Sequence, residues 1–98
     1  MMGAASRRKG ASAERELVAA LRQAGIGAER VSPMEAAGAQ KGDVEDDRGL
    51  RWQVKRRGAR VVIYGWLEGF DRLAVRSDRE GWLVVMRLED YVRECGPR

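Results

Sequence analysis

Apolar and polar positions near the start of the chain alternate with the period of an α-helix. Leu17, Val18 and Leu21 fall on one stripe of a segment rich in alanine, leucine, glutamate and arginine. We expect a helix that begins near Ser12, or somewhat earlier, and ends at about Ala24, because a glycine follows there. The first element is therefore predicted to be an amphipathic helix.

The positions after this helix are typical of short strands. Residues 26–32 predict a first strand, and residues 33–41 predict a flexible loop because they contain proline and glycine. A second strand begins with Asp43-Val44-Glu45, and the turn-forming residues 46–49 follow it directly. Such a turn favours a hairpin, so we expect the second and third strands to be antiparallel neighbours.

The third strand carries polar residues at alternate positions. Gln53 and Lys55 are two positions apart, so they are expected to project from the same face of the strand. The other face is expected to carry Leu50, Trp52 and Val54. Because pairing across a short turn leaves the far strand ends side by side, the hairpin is expected to bring Asp43 near Gln53 and Lys55. Converging carboxylate, amide and ammonium groups can hold a divalent cation beside a phosphate.

The second half of the chain contains further short elements. Residues 59–68 are rich in valine and isoleucine, and the pattern leaves open whether they form a strand or a short helix. Residues 73–76 and 82–86 predict two strands joined by a polar turn. A final helix is expected from Leu88 to about Glu94. The whole pattern predicts an α/β fold.

Length and charge limit the size of the protein and its partners. The 98 residues suit one domain, with residues 1–6 expected to be a flexible tail. The net charge of +4 favours a polyanionic partner. Residues 41–50 contain four acidic side chains, whereas residues 51–60 contain five basic ones and no acid. This juxtaposition suits a metal-dependent enzyme acting on nucleic acid, but two solvated turns of opposite charge would give the same pattern.

The absence of histidine excludes several classes of active site. Serine–histidine and cysteine–histidine catalysis and histidine-bearing zinc sites all require that residue. The single cysteine, Cys95, allows no intramolecular disulfide, which favours a reducing, cytoplasmic setting. No apolar run reaches the length of a membrane span, so we expect no membrane partner.

Glu14 is an acidic residue on the apolar stripe of the predicted helix. It lies three residues before Leu17 and seven before Leu21, so it shares their face. Burying an unpaired charge is costly, and a metal ion or a lysine would supply the partner that Glu14 needs there. The alternative is a position at the rim of the helix start, where a carboxylate interacts favourably with the helix dipole.

These features together resemble a known superfamily. A helix with a glutamate, a strand with Gly42-Asp43 and a following Val54-Lys55 resemble the PD-(D/E)xK nucleases. The segment Arg-Lys-Gly-Ala-Ser-Ala-Glu-Arg-Glu-Leu at residues 8–17 is similar to the start of the Hjc-type Holliday junction resolvases of archaea and some phages. The resemblance covers roughly residues 7–57.

The resemblance implies a fold, a reaction and partners. The fold would be a restriction-endonuclease-like core, with an N-terminal helix and then a central mixed β-sheet of about five strands with flanking helices. The activity would be Mg²⁺-dependent hydrolysis of phosphodiester bonds in branched DNA, with Mn²⁺ as a substitute. The protein would act as a homodimer that makes paired nicks in a four-way junction, in the cytoplasm, or in the host cytoplasm if a phage encodes it.

The resemblance also implies roles for individual residues. The catalytic residues would be Glu14, Asp43, Gln53 and Lys55, with Lys55 as the catalytic lysine. The metal ligands would be Glu14, Asp43, the Gln53 side chain and the Val54 carbonyl, which supply the hard oxygen atoms that Mg²⁺ prefers. The expected DNA contacts are Arg7, Arg8, Lys9, Arg15, Arg30, Arg56 and Arg57.

Gln53 departs from the family pattern, which usually has a glutamate at this position. An amide oxygen can coordinate Mg²⁺ but brings no negative charge, so weaker metal binding, a one-metal site or a decayed enzyme would each follow. Glu45 could restore part of the charge if it shares the face of Asp43. Two alternatives are therefore a non-catalytic nucleic-acid-binding module of the same fold and a nuclease that acts on plain duplex or DNA ends.

The aromatic residues have two interpretations. Trp52, Trp66 and Trp82 suit the core or a dimer interface better than a base-stacking role. Trp66 and Tyr64 are the best candidates for an exposed contact with DNA or a partner subunit. The dimer interface is expected around Trp66-Leu67 and Val84-Val85.

Overall fold

The structure is a computed structural model that describes residues 3–31 and 44–96, with side chains from residue 11 onward. It is mixed α/β, and the described residues form two compact units, one ending at Arg56 and one beginning at Arg57. Neither unit contains, in its described segments, a helix long and apolar enough to cross a membrane. The prediction of a single domain over residues 1–98 stays a prediction.

The first unit begins with helix α1, which spans Gly3–Gln23. The sequence predicted a start near Ser12 or somewhat earlier, and the helix begins well before Ser12, so residues 3–6, expected in a tail, form its first turn. The helix ends as predicted, because Gly25 has a φ of 84° that favours glycine. The Ile26 amide donates to the Leu21 carbonyl at 2.9 Å and the Gly25 amide to the Arg22 carbonyl at 3.0 Å. These two bonds form a Schellman cap.

Helix α1 packs on a three-stranded antiparallel sheet. Its strands are β1, Ala28–Arg30, β2, Val44–Asp46, and β3, Arg51–Trp52, in the order β1-β2-β3. Leu21 of the helix and Val44 of the central strand are fully buried between the two layers. Burying an aliphatic side chain of this size contributes about 1.5–3 kcal/mol. The core of the first unit therefore lies between α1 and β2.

The predicted hairpin is confirmed, but the first and third strands are shorter than predicted. Strands β2 and β3 are antiparallel, with Val44 opposite Trp52 and Glu45 opposite Arg51. The first strand covers three of the residues expected over 26–32. The third strand ends at Trp52, before the residues that were expected to project from it.

The turn between β2 and β3 is organised by the buried side chain of Asp46. Its Oδ1 accepts bonds from the amides of Arg48 at 2.9 Å and Leu50 at 3.0 Å, and its Oδ2 accepts one from the Trp52 indole at 2.9 Å. Burial acts to raise the pKa of Asp46, but these bonds favour the charged carboxylate and lower the pKa below its ordinary value. Asp46 is therefore a structural residue of the turn.

The second unit contains two helices and a two-stranded antiparallel sheet. Helix α2 spans Val62–Leu67, so the segment left open by the sequence is helical. Strands β4, Leu73–Val75, and β5, Leu83–Val85, form a hairpin, and helix α3 spans Leu88–Cys95. Both strands and the final helix are confirmed.

The described residues contain five strands, the number predicted, but in two sheets rather than one. The sheets have three and two strands, and every described strand pair is antiparallel. The physical reason is the segment 53–61, which follows β3 without any helix or strand. Because β3 is short and a hairpin turn closes each of the pairs β2–β3 and β4–β5, each sheet forms from residues that are close in sequence.

Candidate arginine cleft and predicted metal ligands

The partner of Glu14 is Arg30 of strand β1. The Arg30 Nε lies 2.8 Å from Oε1 of Glu14 and donates a hydrogen bond to it. The side chain of Glu14 is 18% exposed and that of Arg30 is 40% exposed. Because α1 begins at Gly3, Glu14 lies in the helix interior and not at its rim. The structure thus satisfies this carboxylate with an arginine, where the sequence suggested a metal ion or a lysine.

Three arginines of the first unit line one open cleft of about 330 Å³, which we call the arginine cleft. They are Arg15 and Arg22 of α1 and Arg30 of β1, and Val18 and Ala19 complete the lining. Lysines and acids do not contribute to the lining that the structure describes. The cleft therefore brings together Arg15 and Arg30, two of the predicted DNA contacts.

Two of these arginines are each held by a hydrogen bond from their own Nε atom. The Nε of Arg22 donates to the Ala28 carbonyl at 2.9 Å, and the Nε of Arg30 donates to Glu14. A guanidinium group has five N–H donors in a rigid fork, so a bond through Nε leaves four on the terminal nitrogens. Such forks match the oxygens of a phosphate. The arginine cleft can therefore bind a phosphate with arginines that are already oriented.

Arg22 is a cleft residue that the sequence analysis missed. It lies seven residues after Arg15 in α1, close to two full helical turns, so both side chains lie on one side of the helix. Arg8 precedes Arg15 by the same interval in the sequence. The seven-residue spacing of arginines in one helix was the signal that could have identified Arg22.

Gln53 and Lys55 follow the end of β3 and are both exposed. Val54 between them is half-buried, so exposure alternates along this segment although the strand has ended. Gln53 and Lys55 were expected to share one face of the third strand. Because the strand ends before them, strand pairing does not fix the direction of their side chains. The fourth predicted catalytic residue, Asp43, lies outside the described residues. The polar contact that the structure gives Glu14 is with Arg30, and its proximity to Gln53 or Lys55 stays a prediction.

Acidic residues 45–47 have partners within the fold. Asp47 Oδ2 accepts a bond from the Gly27 amide at 2.9 Å, which ties the turn to the start of β1. Glu45 lies 3.4 Å from the Arg51 guanidinium and directly opposite Glu29 in the sheet. With Asp46 holding the turn, this part of the acidic cluster has structural roles. Glu45 is thus already partnered by a cation, which weakens its expected role as a spare metal ligand.

The chemistry of the predicted donors fits Mg²⁺ in part. Carboxylate and amide oxygens are hard ligands of the kind that Mg²⁺ selects, and Glu14 and Gln53 supply one of each. Across residues 11–31 and 44–96, however, no group of three or more acidic or cysteine side chains is arranged to hold a metal ion. Asp43, the other predicted carboxylate ligand, lies outside these residues.

The other predicted DNA contacts are of two kinds. Arg56 and Arg57 are exposed, and Arg56 lies 3.4 Å from Glu16 on helix α1. Arg7, Arg8 and Lys9 belong to the first half of α1, and their side chains lie outside the described part of the chain.

The three tryptophans occupy different environments. Trp52 is half-buried and donates to Asp46, so it belongs to the fold. Trp66 is 53% exposed and Trp82 is 67% exposed, and the Arg76 guanidinium lies 5.4 Å from the Trp82 ring centre. Neither exposed tryptophan is a core residue of the described chain. Tyr64 is exposed as well, and it lines an apolar groove of about 420 Å³ in the second unit.

Comparisons of the chain with protein-family models, with curated proteins and with solved structures each found no match. The resemblance to the junction resolvases therefore stays a prediction from the sequence.

Proposed function

We propose that this chain is a Mg²⁺-dependent endonuclease that hydrolyses phosphodiester bonds in branched DNA, with a Holliday junction as its substrate and a homodimer as its active form. The observation that carries the proposal is the arginine cleft, in which Arg15, Arg22 and Arg30 line one concave surface. The proposed fold is a restriction-endonuclease-like core. The proposed location is the cytoplasm.

The arginine cleft suits the DNA backbone better than an isolated small anion. Contacts with phosphates fix the position of a protein on nucleic acid, and arginine makes them with two parallel hydrogen bonds. The cleft is open to solvent rather than enclosed, so a phosphate that belongs to a long polymer can reach it. Exposed Lys55 and Arg56 add positive charge to the same compact unit. A polyanionic chain is therefore the ligand that this surface favours.

The proposed catalytic group combines Glu14, Asp43, Gln53 and Lys55. Mg²⁺, with Mn²⁺ as a substitute, would be held by oxygens of Asp43, Glu14, Gln53 and Val54, and it would polarise the phosphate and acidify a bound water. Lys55 would offset the negative charge that develops on the phosphorus-bound oxygens. Arg15 and Arg30 would hold the backbone in position for the attack.

A second candidate is a non-catalytic DNA-binding protein with the same phosphate contacts. The ion pair between Glu14 and Arg30 favours it, because a carboxylate bonded to a guanidinium group has less charge to offer a metal ion. In this case affinity for DNA would depend on salt but not on Mg²⁺, and Asp43→Asn would leave it unchanged.

Cleavage of labelled DNA separates these candidates. Purified protein is incubated with a four-way junction, a matched duplex and a flap, each in Mg²⁺, Mn²⁺ or EDTA. We expect paired nicks in the junction with either metal, and a loss of about 100-fold or more in rate for Asp43→Asn and Lys55→Ala, as for the loss of other transition-state contacts. Arg48→Ala, a change at an exposed turn residue, is the matched control and is expected to cleave normally.

Each alternative gives a different result in the same assay. Binding without cleavage in either metal would support the non-catalytic candidate. Cleavage of duplex or flap in preference to the junction would change the substrate but keep the nuclease. Absence of both binding and cleavage would overturn both candidates.

Paired nicks require two active sites related by a two-fold axis. The exposed apolar residues Trp66, Leu83 and Val84 of the second unit support the proposed dimer, because an apolar surface of this kind is typical of an interface. Sedimentation at micromolar concentration is expected to show a dimer. A monomer that persists when DNA is bound would contradict the paired-nick mechanism.

A further inference from the structure

We propose that Glu14 is a positioning residue for Arg30, so that an acidic side chain strengthens the binding of a polyanion. The proposal rests on the proposed DNA-binding function, and it gives Glu14 a role that does not require a metal ion. Glu14 would hold the Arg30 guanidinium through Nε and leave its terminal nitrogens for a DNA phosphate in the arginine cleft.

The position of Glu14 suits this role. It lies in the interior of α1, next to Arg15, and its mostly buried carboxylate is 2.8 Å from the Arg30 nitrogen. The helix and the strand that carry the two residues are joined by the capped turn at Gly25. Both backbones are therefore fixed, and the ion pair fixes the direction of the arginine side chain as well.

A second arginine of the cleft is held in the same way, but by a neutral acceptor. Arg22 is held through Nε by the Ala28 carbonyl, two residues before Arg30 in β1. An arginine has several rotatable bonds, and it loses that freedom when it binds a phosphate unless it is already ordered. Anchoring through Nε removes most of this entropic cost before the ligand arrives. These two bonds account for the orientation of both arginine side chains.

Three roles for Glu14 predict different effects of Glu14→Gln on binding without metal. A carboxylate that only repels the DNA backbone predicts tighter binding when it is neutralised. A residue that only binds metal predicts no loss of affinity in EDTA. A positioning residue predicts weaker binding in EDTA, because Arg30 loses its charged acceptor. The sign of the change decides between them.

The test measures the dissociation constant for a labelled junction in EDTA over a series of salt concentrations. We expect Arg30→Ala to weaken binding about 10-fold and to reduce the slope of log affinity against log salt by about one. Glu14→Gln is expected to weaken binding about five-fold, within the range seen for coupled neighbours. In the Arg30→Ala background, Glu14→Gln is expected to cause no further loss.

The matched control is Glu29→Gln, which removes the same charge from strand β1. Glu29 is exposed, adjacent to Arg30 in sequence, and without a described ion pair in residues 11–31 and 44–96. This variant is expected to bind as tightly as the unchanged protein or slightly more tightly. Far-ultraviolet circular dichroism and a thermal melt check that every variant is folded.

Two results would overturn the positioning role while leaving the proposed function intact. One is Glu14→Gln binding as tightly as Glu29→Gln, and the other is an equal loss with Arg30 present or absent. If Glu14→Gln does not fold, Arg30→Lys replaces it, because lysine keeps the charge but loses the fork that Glu14 orients. Full affinity of that variant would also overturn the role. If the unchanged protein binds no DNA, the proposed function itself fails.

Discussion

At the scale of single residues, Asp46 shows how an acidic cluster can serve the fold. Its carboxylate accepts two hydrogen bonds from the turn and one from Trp52 of β3, and it is almost completely buried. In the sequence, Asp46 is one of several neighbouring acids and nothing distinguishes it as the structural one. Only the turn geometry, with Gly49 at a φ of 80°, directs its side chain at the amides of residues 48 and 50.

We expect Asp46→Asn to lower the free energy of unfolding by about 2 kcal/mol. An asparagine side chain has one acceptor oxygen, and its amide group would face a donor, so at least one buried donor loses its partner. Urea denaturation measures the change, and Asp71→Asn, an exposed aspartate of the second unit, is the control. An equal midpoint for the two variants would contradict the structural role.

The same carboxylate predicts how stability depends on pH. Because the folded pKa of Asp46 is below its unfolded value of about 3.8, its contribution is fully present above that pH. The contribution is lost as the pH falls below about 3.8 and through the lower folded pKa. Acid unfolding of the Asp46→Asn variant is therefore expected to show a shallower pH dependence in this range than that of the unchanged protein.

The ion pair between Glu14 and Arg30 marks the limit of prediction from the sequence at this scale. The apolar stripe correctly indicated that Glu14 needs a partner, since its face of the helix is buried. The identity of the partner depends on how β1 runs back beside α1, which is set by the cap at residues 21–26. A pattern of residue types does not contain that direction, so an arginine 16 residues away was not identified.

At the scale of elements, predictions from local patterns were the most successful. The end of α1 just before Gly25, the β2–β3 hairpin, the β4–β5 hairpin and α3 all depend on residues close in sequence. The errors concern the lengths of the strands and the way in which the strands combine into sheets. Strand β3 ends at Trp52 because the pairing with β2 does, and a strand's length depends on a neighbour that periodicity does not specify.

The cap of α1 predicts an effect on both stability and DNA binding. Gly25→Ala places a side chain at a φ of 84°, which costs about 1 kcal/mol for an alanine. Because this turn sets the position of β1 relative to α1, it also sets the distance between Arg22 and Arg30. We expect a lower melting temperature and weaker binding to a labelled junction.

Gly58→Ala, a change in the irregular segment after β3, is the control for that variant. It is expected to melt and bind as the unchanged protein does, because the glycines with a positive φ in the described residues are Gly25, Gly49, Gly69 and Gly96, and Gly58 is not one of them. A Gly25→Ala protein with normal stability would show that the cap is not what holds the end of α1.

At the scale of the whole molecule, the sequence predicted an α/β protein with five strands but not their division. Each described sheet forms within one compact unit, and the predicted single mixed sheet would have required pairing between distant segments. The candidate site shows the same limit. Arg15 and Arg30 were predicted individually, and the structure places them with Arg22 in one cleft.

The second unit contains little buried apolar surface of its own. In the residues described from Arg57 onward, Leu67, at 6% exposed, is the one buried hydrophobic side chain, whereas Phe70 and Trp82 are mostly exposed. Chains of about 40 residues rarely fold alone without a metal, disulfides or a partner. The proposed dimer would cover this surface, which is why the oligomeric state is an informative measurement.

The irregular segment between β3 and α2 has a consequence for digestion by trypsin. Its residues Lys55, Arg56, Arg57 and Arg60 are exposed and lie outside any helix or strand, so the backbone is open to a protease that cuts after basic residues. We expect brief trypsin treatment to cut here first and to release fragments that mass spectrometry identifies. Bound DNA is expected to slow this cut, and an unchanged cutting rate would exclude Arg56 and Arg57 from the DNA contacts. Cleavage at these basic residues, compared on one gel with and without DNA, would therefore locate both the boundary between the two units and a segment that DNA protects.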